Sequence, residues 1–285
     1  MSRLGLAVHR FRPDALEVAG RVISWAATNG YEVVVDESDI ASLRSTAVLG
    51  GDVGDVDVLV SIGGDGTMLR SVHVLNGRVV PLIGVNLGQL GYLAVVEDDE
   101  VIEALDVWHN GTEGTEYHYD DRMLLEVSMW ANGARLSNHL AMNEVVIEKS
   151  EAGHTVRLGV DIDKAMFTTY AADGLILATP TGSTAYSMSA RGPILSPRLR
   201  AILMTPVSPH MLFDRSMVLD PQELVRIEIL GHRSVNVATD GELVHTLRPG
   251  DVVEVRAAQE VARFVRFKEQ RFHQTLKSKF GLSDR

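Results

Sequence analysis

Two near-continuous apolar runs, residues 56–62 and 79–85, each empty into a glycine-rich loop. A segment apolar on both faces reads as a strand buried from both sides, as in a parallel sheet covered by helices. Residues 4–8 and 31–35 are two further short apolar runs. Between them, residues 13–29 carry Leu16, Ala19, Val22, Ile23 and Ala26 at helical spacing, with Gly30 at the stop. Val101, Ala104, Leu105 and Trp108 mark another helix. The acidic run 97–100 ahead of it suits the positive end of a helix dipole better than it suits a metal. The first part of the chain is therefore expected to be an α/β domain built on a parallel, Rossmann-like sheet.

After about residue 118 the pattern changes. Short segments at 123–130, 141–148, 154–162, 175–178, 224–230, 234–239, 243–247 and 252–257 are separated by turns such as Asn132-Gly133 and Asp240-Gly241. They predict a mainly antiparallel, β-rich and sandwich-like second domain. Phe272, Leu276 and Phe280, spaced four apart before Gly281, predict a closing amphipathic helix.

Charge and composition remove several function classes. A net charge of −11 argues against extended contacts to a nucleic-acid backbone. It also means that an anionic substrate needs backbone N–H groups, a few local cations and a metal ion. With no cysteine there is no disulfide, thiolate nucleophile or cysteine metal site, and the ten histidines form no metal-ligand motif. No apolar run suits a signal peptide or a membrane span, so no membrane partner is expected and the cytoplasm is the expected compartment.

The sharpest local feature is the sequence from Val58 to Arg70, in which a strand enters Gly63-Gly64-Asp65-Gly66 and a helix is predicted to start near Thr67. Glycines let the backbone approach a ligand, and a helix N-terminus offers free N–H groups to phosphate. An aspartate there would repel phosphate unless the chemistry needs it, either to accept the proton of an attacking hydroxyl or to help hold Mg²⁺. The loop is neither a Walker loop nor a dinucleotide fingerprint. The second run enters Asn86-Leu87-Gly88-Gln89-Leu90-Gly91-Tyr92, at the same carboxyl edge of the sheet, where open α/β sheets bind ligands. Asp173 to Ser189 opens from an apolar strand into a loop dense in small hydroxyls, with Tyr186 offering a ring face. Asn143-Glu144 heads an otherwise apolar strand; a buried carboxylate needs partners, and a ribose diol is one. Asp240-Gly241 reads by spacing as a hairpin turn.

With these motifs in this order, the chain resembles NAD kinases, most closely those of actinobacterial type, over nearly its whole length. The run Thr179-Pro180-Thr181-Gly182-Ser183-Thr184-Ala185-Tyr186 is the most specific part. The resemblance implies ATP-dependent phosphorylation of the 2′-hydroxyl of the adenosine ribose of NAD to give NADP, with Mg²⁺ or another divalent cation accompanying ATP. It implies an α/β domain over 1–118 joined by about 262–285, as the chain end returns to it, and a β-rich NAD-binding domain over 119–261. It further implies a homodimer or homotetramer in which a neighbouring subunit completes the site. Motif by motif, Asp65 corresponds to the catalytic aspartate, and Gly66 and Thr67 line its loop. Tyr92 stands where Phe is more usual, against the adenosine end of NAD. Asn143, Glu144, Asp173, Thr184, Ala185, Tyr186, Ser189 and Asp240 match dinucleotide-binding positions. Arg191 stands where many members have Gly, Ala171 where Arg is frequent, and Ser216 where Pro is frequent, which leaves donor preference, including polyphosphate, and feedback open. Rival readings are a lipid or nucleoside kinase with a similar loop, or a dinucleotide sensor without turnover. Lipid kinases lack the 179–186 run, and the intact Asp65 loop argues against a sensor.

Overall fold

The computed structural model describes residues 2–36, 43, 48–88, 91–268 and 272–282. The chain divides into two compact units, Met1–Asp121 with Ala262–Arg285, and Arg122–Val261.

In the first unit the order is β1 (Ser2–Val8), α1 (Pro13–Thr28), β2 (Tyr31–Val35), β3 (Val48–Gly50), β4 (Val58–Gly63), α2 (Asp65–Leu75), β5 (Leu82–Asn86), β6 (Val96–Glu97) and α3 (Val101–Asn110). The strands form a parallel sheet in the order β5-β4-β1-β2-β3, with β6 beside β5. Every residue of β4 and β5 is buried, as a run apolar on both faces demands. Val58, Val60 and Ile62 join a core with Val18 and Val22 of α1 and Leu105 of α3. Alternation turns Leu59 and Leu82 to the opposite face, where both are fully buried. The second run becomes a strand only after Pro81, which has no N–H to give and contributes its carbonyl to Leu59 at 2.9 Å. Helix α2 starts at Asp65, two residues ahead of the predicted Thr67, because Gly64 serves as its extended N-cap.

The second unit continues with β7 (His118–Ala131), β8 (Ala134–Ala141), β9 (Glu144–Lys149), β10 (Val156–Ile162), β11 (Ala165–Ala172), β12 (Gly174–Ala178), the single turn α4 (Tyr186–Ser189), β13 (Ile202–Val207), β14 (Met217–Leu219), β15 (Val225–Leu230), β16 (Val235–Thr239), β17 (Glu242–Leu247) and β18 (Val252–Arg266). One antiparallel sheet runs β14-β13-β12-β9-β16-β17; the other contains β11-β10-β15-β18, with β7 on β18 and β8 on β7. Ile147, Leu177 and Val237 of the first meet Leu158, Ile227 and Val253 of the second in one core, so the unit is a sandwich. Four strands of this unit were not expected, among them β14, whose three residues are too few to carry a pattern. β8 and β11 have little apolar patterning because much of their length is exposed or half-buried, and β13 carries Pro206. That proline is tolerated near the strand end, opposite Leu175.

β18 runs well past the predicted residue 257, and its Phe264 pairs parallel with Leu82 within the first unit. The closing helix α5 (Phe272–Lys279) is less amphipathic than its spacing suggests: Thr275 is its one fully buried described residue, and Phe280 is exposed beyond its end. No helix among the described residues is long and apolar enough to cross a membrane.

Arg191 has φ 65° in the loop after α4, a left-handed conformation that disfavours a side chain. This is the position where the resemblance puts glycine. Arg191→Gly is therefore expected to raise stability by about 1 kcal/mol, read as a higher urea midpoint at unchanged m-value.

Candidate active site

In the first unit the carboxyl ends of β1, β4 and β5 lie side by side, and the loops that leave them enclose a cleft of about 480 Å³. Its walls include His9, Arg10, Phe11 and Arg12 after β1, Gly64, Gly66, Thr67 and Arg70 around the start of α2, and Asn86 and Leu87 after β5. Both neighbours of Asp65 thus face the cleft, together with the N-terminal turn of an 11-residue helix. Three arginines and a helix N-terminus in one concavity make an anion site within a strongly acidic chain. Arg70 is anchored by donating to the Val8 carbonyl at 2.7 Å, and Arg12 donates to the Leu87 carbonyl and pairs with Asp14. Sequence reasoning missed these arginines as site residues. The available signal was two arginines placed directly after the first buried strand.

Asp65 is turned away from the cleft toward the loop after β5. Its Oδ2 accepts the backbone N–H of Tyr92 and its Oδ1 that of Leu93, both at 3.0 Å. Gly91 makes this approach possible: a Cβ there would stand 2.1 Å from Oδ1 of Asp65. Two N–H bonds leave further lone pairs on the carboxylate. Thr67 is buried with its hydroxyl against Gly63, where a Cβ would lie 2.2 Å from Oγ1. The Tyr92 ring packs on Phe272, 6.2 Å between centroids, and lies under Nζ of Lys279 at 4.6 Å. Burial first, then the charge of Asp65, raises its phenol above the ordinary value. Gln89 and Leu90 of this loop lie outside the described residues.

The second unit gathers most of the other candidates. Asn143 precedes β9, and Glu144 opens it. Asp240 does more than turn a hairpin. With φ 48° beside Gly241 at 87° it has the left-handed pair of a two-residue hairpin turn, and its carboxylate accepts the N–H groups of Met142, Asn143 and Glu144 at 2.7, 2.6 and 3.0 Å. It therefore fixes the backbone that carries the Asn-Glu pair. Gly182 lies against that backbone, since a Cβ would be 2.0 Å from the Asn143 carbonyl oxygen.

The hydroxyls of the 179–189 loop are largely spent on bonds within the protein. Thr179 donates to the Met142 carbonyl at 2.6 Å, Ser183 to Pro180 at 2.7 Å and Thr184 to Thr181 at 3.2 Å, while Ser187 pairs with Thr205 at 3.0 Å. Their density fixes a fold more than it offers donors. Tyr186 and Ser189 are exposed, and Ala185 is half-buried. Asp173 pairs with Lys149 at 2.7 Å. Burial, then the charges of Glu148, Asp173 and Glu144, raises the Tyr186 phenol above its ordinary value.

Glu144 is the exceptional group. It is 6% exposed, and its buried Oε2 has no hydrogen-bond partner. Burial, reinforced by Asp240 and offset by the Tyr186 N–H, pushes its carboxyl from the ordinary 4.5 to about 7. Charging it in the folded state is therefore resisted. Its stabilising contribution is fully present below about pH 4.5 and disappears as pH rises through about 7, on the order of 3 kcal/mol in all. Relative to Glu144→Gln, the wild type should lose stability between about pH 5 and about pH 8 in urea unfolding; a pH-independent difference would contradict this.

Among the described residues no group of three or more His, Asp or Glu side chains could hold a metal ion.

The comparisons match this arrangement. Residues 4–112 match the family model for the ATP-NAD kinase N-terminal domain and residues 142–267 that for the C-terminal domain. NAD kinase of Syntrophotalea carbinolica is 36% identical over 289 aligned positions, covering 100% of both chains, and that of Heliobacterium modesticaldum is 35% identical over 282, covering 98% of each. A yeast NADH kinase solved with NADH superposes with a TM-score of 0.90 at 26% identity, over 100% of this chain and 89% of that one. An Archaeoglobus fulgidus NAD kinase solved with ATP gives 0.73 at 21% identity, over 97% and 98%, a likeness of fold. With both family domains matched and full-length relatives above 30% identity, the chain belongs to the ATP-NAD kinase family.

Proposed function

We propose that Asp65 is the general base in phosphoryl transfer from ATP to the 2′-hydroxyl of the adenosine ribose of NAD, giving NADP. The reaction follows from family membership; the observation that carries the role of Asp65 is its carboxylate, held by two backbone N–H groups beside a cleft lined with arginines. The donor phosphates suit that cleft, where Arg10, Arg12, Arg70 and the first turn of α2 supply positive charge. A divalent cation bound with the donor would supply further neutralisation of phosphate charge beside Arg10, Arg12 and Arg70. Asp65 orients the hydroxyl and takes its proton as the new O–P bond forms and the bond from the γ-phosphorus to the β-bridging oxygen breaks, releasing ADP. The hydroxyl is too weak an acid to be ionised beforehand, so proton transfer accompanies bond formation.

For the acceptor, Glu144 has an unsatisfied buried oxygen that suits a ribose diol, and Asn143 shares its strand entrance. Asp173, Thr184, Ala185, Tyr186 and Ser189 form the rest of our acceptor surface, with Tyr186 supplying a ring face. We assign Asp240 to it as the support of Asn143 and Glu144. Gly66, Thr67 and Tyr92 belong to the Asp65 side. We also infer a cytoplasmic homodimer or homotetramer. The exposed Met166 and Leu212 beside the Phe167–Phe213 ring pair support an association surface on the second unit.

Asp65→Asn is expected to lower turnover by about three orders of magnitude or more while NAD binding persists, read by coupling NADP formation to an NADP-specific dehydrogenase beside a binding titration. An active Asn variant would sink the role. Gly91→Ala, which touches no substrate in this reading, is expected to displace the Asp65 carboxylate and lower kcat by about a hundredfold at near-normal KM. Unchanged kcat would show that the loop contact is dispensable.

A further inference from the structure

We infer that Arg266, oriented by Asp120, is a positioning residue for Asp65 and acts through the backbone of Leu93. The inference rests on Asp65 being the base. Leu93 is a bridge: its N–H is donated to Oδ1 of Asp65 at 3.0 Å, and its carbonyl accepts Nη1 of Arg266 at 2.8 Å. Arg266 closes β18 and is 3% exposed, and its Nε donates to Oδ2 of Asp120 at 3.1 Å. Its guanidinium carbon also lies 5.1 Å over the Phe264 ring. All four groups belong to the first unit.

A carboxylate is held only as firmly as the donors that hold it. The loop after β5 is short of regular structure here, and Gly91 gives it no side chain to pack. A buried guanidinium with a rigid planar fork can fix the carbonyl of Leu93 with one nitrogen while another is fixed by Asp120. The carbonyl and the N–H of Leu93 belong to successive peptide planes hinged at its Cα, so anchoring the carbonyl restrains the Leu93 backbone and with it the position of the N–H presented to Asp65. Lysine offers a single nitrogen and cannot satisfy both acceptors with the same geometry. A misplacement of about 1 Å in a reacting group can cost about a hundredfold in rate, so a tether on the residue that holds the base is in a position to govern turnover.

The test is Arg266→Lys in the full chain, alone and combined with Asp65→Asn, with single-turnover phosphoryl transfer from labelled ATP to NAD and thermal unfolding run alongside. The expected result is a folded protein with KM for NAD and ATP within about twofold and kcat lower by about 10- to 100-fold. On the Asp65→Asn background the same change should alter the residual rate by less than about twofold, because a residue acting through Asp65 has nothing left to position. A merely structural role would lower stability without this split between kcat and KM and without this non-additivity. The inference is overturned if Arg266→Lys keeps kcat, if KM rises at constant kcat, or if the loss is equal on both backgrounds. Should Arg266→Lys fail to fold, Asp120→Asn takes its place: the bond from Arg266 to Leu93 is kept but no longer oriented, and a smaller loss of the same kind is expected, with unchanged kcat overturning the inference. An active Asp65→Asn would instead defeat the base reading, whereas an inert one beside an unaffected Arg266→Lys would defeat the tether alone.

Discussion

The contact between the Asp65 carboxylate and the N–H groups of Tyr92 and Leu93 joins two loops that leave adjacent parallel strands, and the chemistry proposed for the first unit depends on it. Without it the aspartate would sit at the start of a helix with its side chain free to sample the arginine cleft beside it. A carboxylate there would compete with phosphate for the same positive charge. Turned onto the neighbouring peptide, it keeps its charge out of the donor cleft while remaining next to it. The second unit uses the same device. Asp240 accepts three N–H groups from residues 142–144 and so holds the strand entrance where Glu144 keeps an unsatisfied oxygen. In both cases an aspartate beside a glycine orders the backbone of another segment.

Electrostatics explains how a chain of net charge −11 can handle polyanions. The positive charge is concentrated in one concavity by Arg10, Arg12 and Arg70, reinforced by the N-terminus of α2. A local field of this kind suits a triphosphate. The two titratable acids of the proposed reaction are set differently: Asp65 is half-buried and bound by two peptide N–H groups, whereas Glu144 is buried with one oxygen unpartnered and is pushed up to about 7. A hydroxyl donated to that oxygen would favour its charged form, so a ligand there would be expected to release a proton on binding.

Much of this was legible in the sequence where local physics decides the outcome. The buried run before Gly63, the left-handed Gly30 at the end of α1 and the Asp240-Gly241 hairpin each follow from a few neighbouring residues. What escaped was set by distant partners. Arg10 and Arg70 are far apart in sequence and meet only because β1 and β4 are neighbours in the sheet. Asp240 was legible as a turn, and its carboxylate was not, because its three partners lie nearly a hundred residues earlier. The hydroxyl-rich run 179–189 suggested ligand donors, yet Thr179, Ser183, Thr184 and Ser187 all bond to other groups of the protein. β11 was missed because an edge strand that is half exposed carries little apolar signature.

The central claim is that the carboxylate bonded to the N–H groups of Tyr92 and Leu93 is the one that takes the proton. It can be tested by following the amide NMR signals of Tyr92 and Leu93 across pH and comparing them with the acid limb of kcat/KM for NAD, which reports the free enzyme. The account predicts that both amide signals move together, that their titration coincides with the acid limb, and that the movement vanishes in Asp65→Asn. Amides that do not titrate, or that titrate apart from the rate, would contradict it.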